Sequence, residues 1–116
     1  MYVYVIKAFG QSPMYKIGKA KDPEARCSVL QVGSPVKLNL IFYVRCKSDF
    51  HALQVEKYAH HIFAKHHRRG EWFKPKSNFE PMLSRIAEKV REDIEGNAIG
   101  EFHNGELDRE YRSIIG

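Results

Sequence analysis

The sequence predicts an α+β domain in which a small central three-stranded, mainly antiparallel sheet is flanked by helices. Three observations support this class. Near the start, two runs of β-branched and aromatic residues flank a Gly-Gln-Ser-Pro turn, a pattern typical of a β-hairpin. Two later stretches begin with helix-capping side chains. A last stretch repeats apolar residues every three or four positions, so the predicted order is ββαβα followed by a C-terminal helix.

The first hairpin and the first helix have clear boundaries. Residues 2–9 predict the first strand and residues 14–18 the second. The first helix starts at Asp22-Pro23-Glu24, because these residues combine a capping side chain, a fixed φ and an acid near the positive end of the helix dipole. The helix is expected to end at Gly33, which is followed by Ser-Pro.

A third strand and a second helix follow. Residues 38–46 are nearly continuously apolar, so we expect a strand in the centre of the sheet. Ser48 and Asp49 open a helix that reaches about His67. Glu71-Trp72-Phe73 then lies in a short extended segment, and its aromatic pair is expected either to fill the core, which is the commoner use of such a pair, or to stack on a nucleobase.

The remainder of the chain predicts one more helix and a tail. Ser77 and Glu80 have the spacing of a capping box. The apolar residues after it repeat at helical spacing up to Gly96: Phe79, Met82, Leu83, Ile86, Ala87, Val90 and Ile94. We therefore expect a core at residues 1–77, an amphipathic helix at 78–95 packed on it, and an acidic tail at 96–116 that is either flexible or folded back on the core.

Composition and charge narrow the class of protein. The 116 residues suffice for one domain. No apolar run spans a bilayer and the start lacks the features of a signal peptide, so we expect a cytoplasmic protein without membrane contact. The two cysteines have no metal-binding spacing, which argues against a disulfide framework and a structural zinc site.

The net charge of +5 is unevenly distributed. Residues 1–77 carry 14 Lys and Arg against 5 Asp and Glu, whereas residues 78–116 carry 5 against 9. An anionic ligand is therefore expected to bind the first region, unless its charge is only a solvated surface.

Four residues of the basic region have side chains suited to phosphodiester hydrolysis. This reaction needs an activated nucleophile, cations that neutralise charge on phosphorus and usually a carboxylate-bound metal. Tyr4, Lys16, Arg26 and Glu56 supply these groups. On a helical wheel, Glu56 falls at the edge of the buried face, which suits either a metal ligand or a structural ion pair with Arg26 or Lys16.

The same residues resemble the motifs of the GIY-YIG nuclease superfamily, in particular its short phage-type branch. Tyr2-Val3-Tyr4 is similar to the first motif, and Lys16-Ile17-Gly18 follows at the family's spacing as the second. Arg26 and Glu56 occupy the positions of the family's arginine and metal-binding glutamate, and Glu71-Trp72-Phe73 matches the closing signature.

The resemblance implies one-metal hydrolysis of DNA with a single Mg²⁺ or Mn²⁺ and no small-molecule cofactor. Tyr4 would then be the base, Arg26 the group that stabilises the pentavalent phosphate, and Glu56 the metal ligand. An ammonium near a phenol lowers its pKa, so Lys16 is expected to favour the phenolate of Tyr4. Leu30 stands where many relatives have a histidine. His60, one turn beyond Glu56, is either its replacement as ligand or proton shuttle, or a partly buried structural histidine.

The expected partner is DNA. The basic side chains expected to contact its backbone are Lys19, Lys21, Lys65, Arg68, Arg69, Lys74 and Lys76. Three functions remain open at this point: a metal-dependent endonuclease or nickase, an inactive nucleic-acid-binding module on the same fold, and a protein-interaction domain whose basic face binds an acidic partner or its own tail. The sequence does not define the cleavage site or the oligomeric state.

Overall fold

The protein is described from a computed structural model, which covers residues 1–75 and 80–96. The strands are β1 (Tyr2–Ala8), β2 (Met14–Ala20), β3 (Leu38–Arg45), β4 (His67–Arg69) and β5 (Trp72–Phe73). The helices are α1 (Pro23–Val32), α2 (Asp49–Ile62) and α3 (Leu83–Gly96), with single 3₁₀ turns at Ala64–His66 and Glu80–Met82. The predicted α+β class is confirmed, and the predicted order ββαβα followed by a helix holds except for the added strands β4 and β5 between α2 and α3.

The sheet has five strands in the order β3-β1-β2-β5-β4, and all neighbouring strands are antiparallel. The three predicted strands form its larger part, and the short hairpin of β4 and β5 extends it beyond β2. The prediction that β3 is central is wrong, since β1 lies between β3 and β2 and β3 is an edge strand. Helices cover both faces of β3, so its apolar run reflects burial of its faces rather than a central position.

The alternation of side chains along β1 divides the domain into two layers. Val3 and Val5 point to a large apolar core shared with α2 and α3, whereas Tyr4 and Ile6 point to a smaller cluster beneath α1. We call these two sides the α2/α3 face and the α1 face. The α2/α3 face contains most of the buried apolar side chains.

Both predicted helix starts are capped as expected. The side chain of Asp22 accepts a hydrogen bond from the backbone N–H of Ala25 at 3.1 Å, and that of Ser48 accepts one from His51 at 3.0 Å. Gly33 caps the end of α1, as predicted. However, α2 ends at Ile62 rather than near His67. The chain continues as a 3₁₀ turn and enters the β4–β5 hairpin, whose turn includes Gly70 at a φ of 55°.

The amphipathic helix α3 packs on the α2/α3 face as its periodicity predicts. Its buried residues are Leu83, Ile86, Ala87, Val90 and Ile94. Its polar link to α2 is His51, whose Nε2 donates to the Asp93 carboxylate at 3.1 Å while its Nδ1 accepts from the backbone N–H of Lys47. The capping residue Ser77 and the tail from residue 97 onwards lie outside the described residues. Within the described part of the chain, the helices are too short or too polar to span a bilayer.

Candidate active site

The site is built over Gly18, on the α1 face of the sheet. Gly18 pairs with Tyr4 across β1 and β2. A Cβ atom placed on Gly18 would lie 2.6 Å from the Tyr4 hydroxyl oxygen and 2.8 Å from its ring carbon Cζ. Tyr4 is 1% exposed, so its ring has little room to move away. Glycine is therefore required here, because only a hydrogen atom leaves space for the phenol.

Lys16 precedes Gly18 by two residues in β2, so it lies on the same α1 face of the sheet, and it is only 9% exposed. Its Nζ donates to the Glu71 carboxylate at 2.8 Å. The same Glu71 oxygen would lie 3.0 Å from a Cβ atom on Gly18, so Glu71 and the Tyr4 hydroxyl meet above that glycine. The β4–β5 hairpin positions Glu71 beside Gly18, because the backbone carbonyl of Glu71 accepts a hydrogen bond from the N–H of Ile17 at 3.1 Å.

Arg26 lies on α1, and its guanidinium favours the ionised form of the Tyr4 hydroxyl through hydrogen bonding and positive charge, which lowers the pKa of that group. Burial raises the pKa of Tyr4 above its ordinary value of 10.0, and the charges of Glu71 and Glu56 raise it further, while Arg26 opposes the shift. The expected lowering of this pKa by Lys16 is therefore wrong: Lys16 is paired with Glu71, and Tyr4 is a neutral phenol at neutral pH.

Glu56 lies half-buried on α2, at the boundary that the helical wheel predicts. Burial raises its pKa above 4.5, and the negative charge of Glu71 adds to the effect, while His60, Lys19 and Lys16 oppose it. Across residues 1–75 and 80–96, Glu56 has neither a hydrogen-bond partner nor an ion-pair partner. The sequence allows Glu56 to be either a metal ligand or a structural ion-pair partner of Arg26 or Lys16. The ion pair with Lys16 is not made by Glu56, because Glu71 binds Lys16.

His60 fastens α2 to the edge of β2. Its Nε2 lies 2.9 Å from the backbone carbonyl oxygen of Ile17, so this nitrogen carries the proton and donates it. Its ring also meets the edge of Phe73, with 5.0 Å between the centroids. Since Glu56 precedes His60 by one turn of α2, this contact places Glu56 beside the second half of β2. A positioning role fits this geometry better than metal ligation through the same nitrogen.

The residues expected to contact DNA fall into two groups. Lys19 and Lys21 are exposed and follow Gly18 along β2 and into the loop before α1. Lys65, Arg68 and Arg69 are exposed around β4, separated from β2 by β5. Lys74 is half-buried and follows β5. Lys76 lies outside the described residues.

Glu71 is the site residue that the sequence reasoning missed, although it stood inside a recognised signature. Trp72, the next residue, pairs with Lys16 across β2 and β5, and the Lys16 Nζ lies 5.7 Å from the centre of its indole ring. An acid directly before an aromatic pair in a short strand was the available signal. The partner of that strand could not be read from the sequence, because the two-residue β5 is too short for a pairing pattern.

Two carboxylates of the described residues, Glu56 and Glu71, could hold a divalent cation whose other ligands are water. No cluster of three or more His, Cys, Asp or Glu side chains suited to a metal occurs among them. However, Mg²⁺ is commonly bound through one or two carboxylates, with water completing its shell. Glu56 and Glu71 provide two carboxylates whose mutual repulsion is already evident in the raised pKa of Glu56. A cation would relieve that repulsion.

A comparison with protein-family models matches residues 1–95 to the T5orf172 domain. This domain is associated with phages and with the context of GIY-YIG-like and HNH-like endonucleases. Searches of the curated proteins and of the solved structures return no significant match. The family match covers the sheet, the three helices up to Glu95, and every residue of the candidate site.

Proposed function

Because the chain belongs to the T5orf172 domain family, we propose that it is a metal-dependent DNA endonuclease or nickase. The family match itself indicates a nuclease-like or DNA-binding module. The finer proposal, phosphodiester hydrolysis of the GIY-YIG type, is supported by the chemistry of the site.

One observation carries the proposal. Tyr4, Lys16, Arg26 and Glu56 come from four different elements, yet they lie near enough to affect one another's ionisation. Arg26 and Glu56 act on the pKa of Tyr4, and Lys16 acts on that of Glu56. Three of the four, Tyr4, Lys16 and Glu56, are at least half-buried. Placing ionisable groups there costs desolvation free energy, a pattern typical of catalytic sites.

The two cations have different proposed tasks. Arg26 is exposed and can bind two phosphate oxygens with its planar guanidinium, and its positive charge also acts on the Tyr4 hydroxyl. The hydrogen bond to Glu71 holds the Lys16 ammonium in one position, so its charge does not move freely in solvent. Together they would stabilise negative charge that develops on the phosphate in the transition state.

Glu56 and Glu71 are the residues that would hold Mg²⁺ or Mn²⁺. When bound, such a cation supplies Lewis-acid polarisation of a phosphate oxygen and lowers the pKa of a bound water. Tyr4 keeps its own proton at neutral pH, since its pKa is raised. Its hydroxyl would orient the attacking water, and its conversion to a base would require alkaline pH. We therefore expect the cleavage rate to rise as the pH increases above neutral.

The test is nicking of supercoiled plasmid with Mg²⁺ or Mn²⁺ by the parent protein, Glu56→Gln and Arg26→Ala. We expect each variant to lose about 100-fold or more in rate, the usual cost of removing one transition-state contact. Glu24→Gln and Arg85→Ala are matched controls, because both side chains are exposed and outside the site. Nicking by Glu56→Gln and Arg26→Ala at the parent rate would contradict the proposal.

A second function, DNA binding without cleavage, is favoured by the state of two groups. Lys16 is neutralised by Glu71, and Tyr4 is protonated. This alternative predicts binding that weakens steeply with salt and no product with either divalent metal. Gel-shift and nicking assays on the same preparation distinguish the two functions.

A further inference from the structure

An apolar cleft lies on the α1 face beside the candidate site. Its volume is about 420 Å³. It runs between the end of α1 with its following loop and the sheet, and its far wall belongs to the β4–β5 hairpin. The lining residues are Ala8, Met14, Leu30, Gly33, Ser34, Pro35, Val36, Leu38, Arg69 and Trp72.

The cleft and the candidate site share the β4–β5 hairpin. Trp72 lines the cleft, and it directly follows Glu71, which binds Lys16. The Lys16 Nζ lies 5.7 Å from the centre of the indole ring. Trp72 therefore belongs to the wall of the cleft and also lies beside Lys16 of the candidate site.

The charge around the cleft indicates what fills it. Among the described residues that line it, Arg69 is the one that carries a charge, and it is exposed. Arg68 and Lys65 continue this positive rim along β4 and the preceding turn. The occupant is thus flat or apolar in its body and attached to an anion, which describes a nucleotide whose base enters the cleft while its phosphate stays at the rim.

We propose that the cleft binds one unpaired nucleobase of the DNA next to the cleaved phosphate. This inference rests on the proposed function and deepens it by naming the substrate class: DNA with single-stranded, flap or bulged nucleotides. A paired base would first have to leave its stack, which costs free energy, whereas an unpaired base pays little. Contact with Trp72 returns part of that free energy through stacking on an aromatic ring.

The protein has one tryptophan, so its intrinsic fluorescence reports on Trp72 directly. The protein is titrated at low salt with three unlabelled DNAs: a single strand, the same strand carrying abasic sites, and the duplex formed by the first strand and its complement. Affinities are measured in parallel by anisotropy of end-labelled copies. We expect the single strand to quench Trp72 and to bind on the order of tenfold more tightly than the abasic strand.

A plugging variant locates the effect. A Cβ atom placed on Gly33 meets nothing within 4 Å, and its φ of −95° suits other residues, so Gly33→Leu adds bulk to the cleft wall without straining the backbone. Gly10→Leu is the matched control, since Gly10 is equally unobstructed and lies outside the cleft. We expect Gly33→Leu to abolish the difference between the normal and abasic strands, and Gly10→Leu to retain it.

The outcomes separate the two proposals. Equal affinity for the normal and abasic strands, with Trp72 responding alike to both, would overturn the nucleobase site and leave DNA binding in place. The absence of binding to any of the three DNAs would overturn the proposed function itself. The comparison of strands on the parent protein decides the question even if Gly33→Leu does not fold.

Discussion

The two faces of the sheet differ in what they bury. The α2/α3 face is a continuous apolar core in which β1, β2 and β3 meet two helices. The α1 face has a much smaller apolar cluster and places Tyr4, Lys16 and Gly18 next to one another. Neighbouring residues of a single strand therefore have different roles. Tyr15 belongs to the apolar core of the α2/α3 face, whereas Lys16 lies in the candidate site on the α1 face.

The difference shows how a small domain accommodates a costly site. Strand alternation sends every second side chain to a face that contributes most of the stability, so the other face can carry buried charge. The four predictions below test this division, starting with the largest expected effect.

Truncation of the large core gives the largest loss of stability. Phe42 is fully buried on the α2/α3 face, and Phe42→Ala is expected to lower the free energy of unfolding by about 3–5 kcal/mol. Leu40 on the α1 face is only half-buried, so Leu40→Ala should cost about 1–2 kcal/mol. Urea denaturation of both variants measures the difference. Equal losses would contradict the division of labour between the faces.

Gly18→Ala tests the space above β2. The added methyl group would overlap the Tyr4 hydroxyl, so we expect a loss of about 1–3 kcal/mol in stability together with loss of nicking. Gly10→Ala is the control, because a Cβ atom there meets nothing within 4 Å. Thermal unfolding and plasmid nicking are the measurements. Parent-like activity in Gly18→Ala would show that Tyr4 need not hold its place.

Glu71→Gln is expected to shift the pH dependence of nicking. Glu56 must be ionised to bind a cation, and the charge of Glu71 helps to raise the pKa of Glu56 above 4.5. Because Glu71 is also a proposed metal ligand, the variant should nick more slowly. Removing its charge also lowers the pKa of Glu56, so the acidic limb of the remaining rate profile should move to lower pH, although burial still keeps that pKa above its ordinary value. Glu24→Gln should leave the limb unchanged. An acidic limb at the same pH in Glu71→Gln as in the parent would show that the charge of Glu71 does not affect the ionisation of Glu56.

Glu56→Gln should produce the smallest change, a slight gain in stability. The folded-state pKa of Glu56 is raised, so the folded state favours its protonated form. This residue therefore destabilises the fold increasingly as the pH rises above the ordinary pKa of 4.5, and fully above the folded-state pKa. Glutamine has no charge to desolvate. We expect a higher Tm than the parent at pH 7 and no difference well below pH 4.5, as measured by calorimetry at both pH values. A lower Tm at pH 7 would mean that Glu56 stabilises the fold.

Local chemistry made much of the fold predictable. The caps of α1 and α2 are short-range signals, and the periodicity of α3 is long enough to define a face. The β4–β5 hairpin was not predicted as a pair, since strands of three and two residues carry almost no period. The place of β3 at the edge was missed because an apolar run reports how its two faces are covered, and not which strands lie beside it.

The site was predictable to the extent that residue type and spacing define it. Tyr4, Lys16, Arg26 and Glu56 do come together, and the wheel placed Glu56 at the correct boundary. The pairing of charges was not predictable. Lys16 was expected to lower the pKa of Tyr4, yet its ammonium forms an ion pair with the carboxylate of Glu71, a residue 55 positions away in the sequence. Such contacts depend on tertiary register, which a single sequence does not report.

The way in which β5 stops short has a consequence for solubility. Among the described residues it pairs only with Tyr15 and Lys16, and His60 binds the carbonyl of Ile17, so within that part of the chain Gly18, Lys19 and Ala20 have no partner strand on this side. An unpaired edge invites another strand, and Lys19, exposed at that edge, is the kind of charge that discourages such pairing. Completing the sheet there would bury Lys19 and crowd Glu56. We therefore expect Lys19 to disfavour self-association through this edge, beside the candidate site.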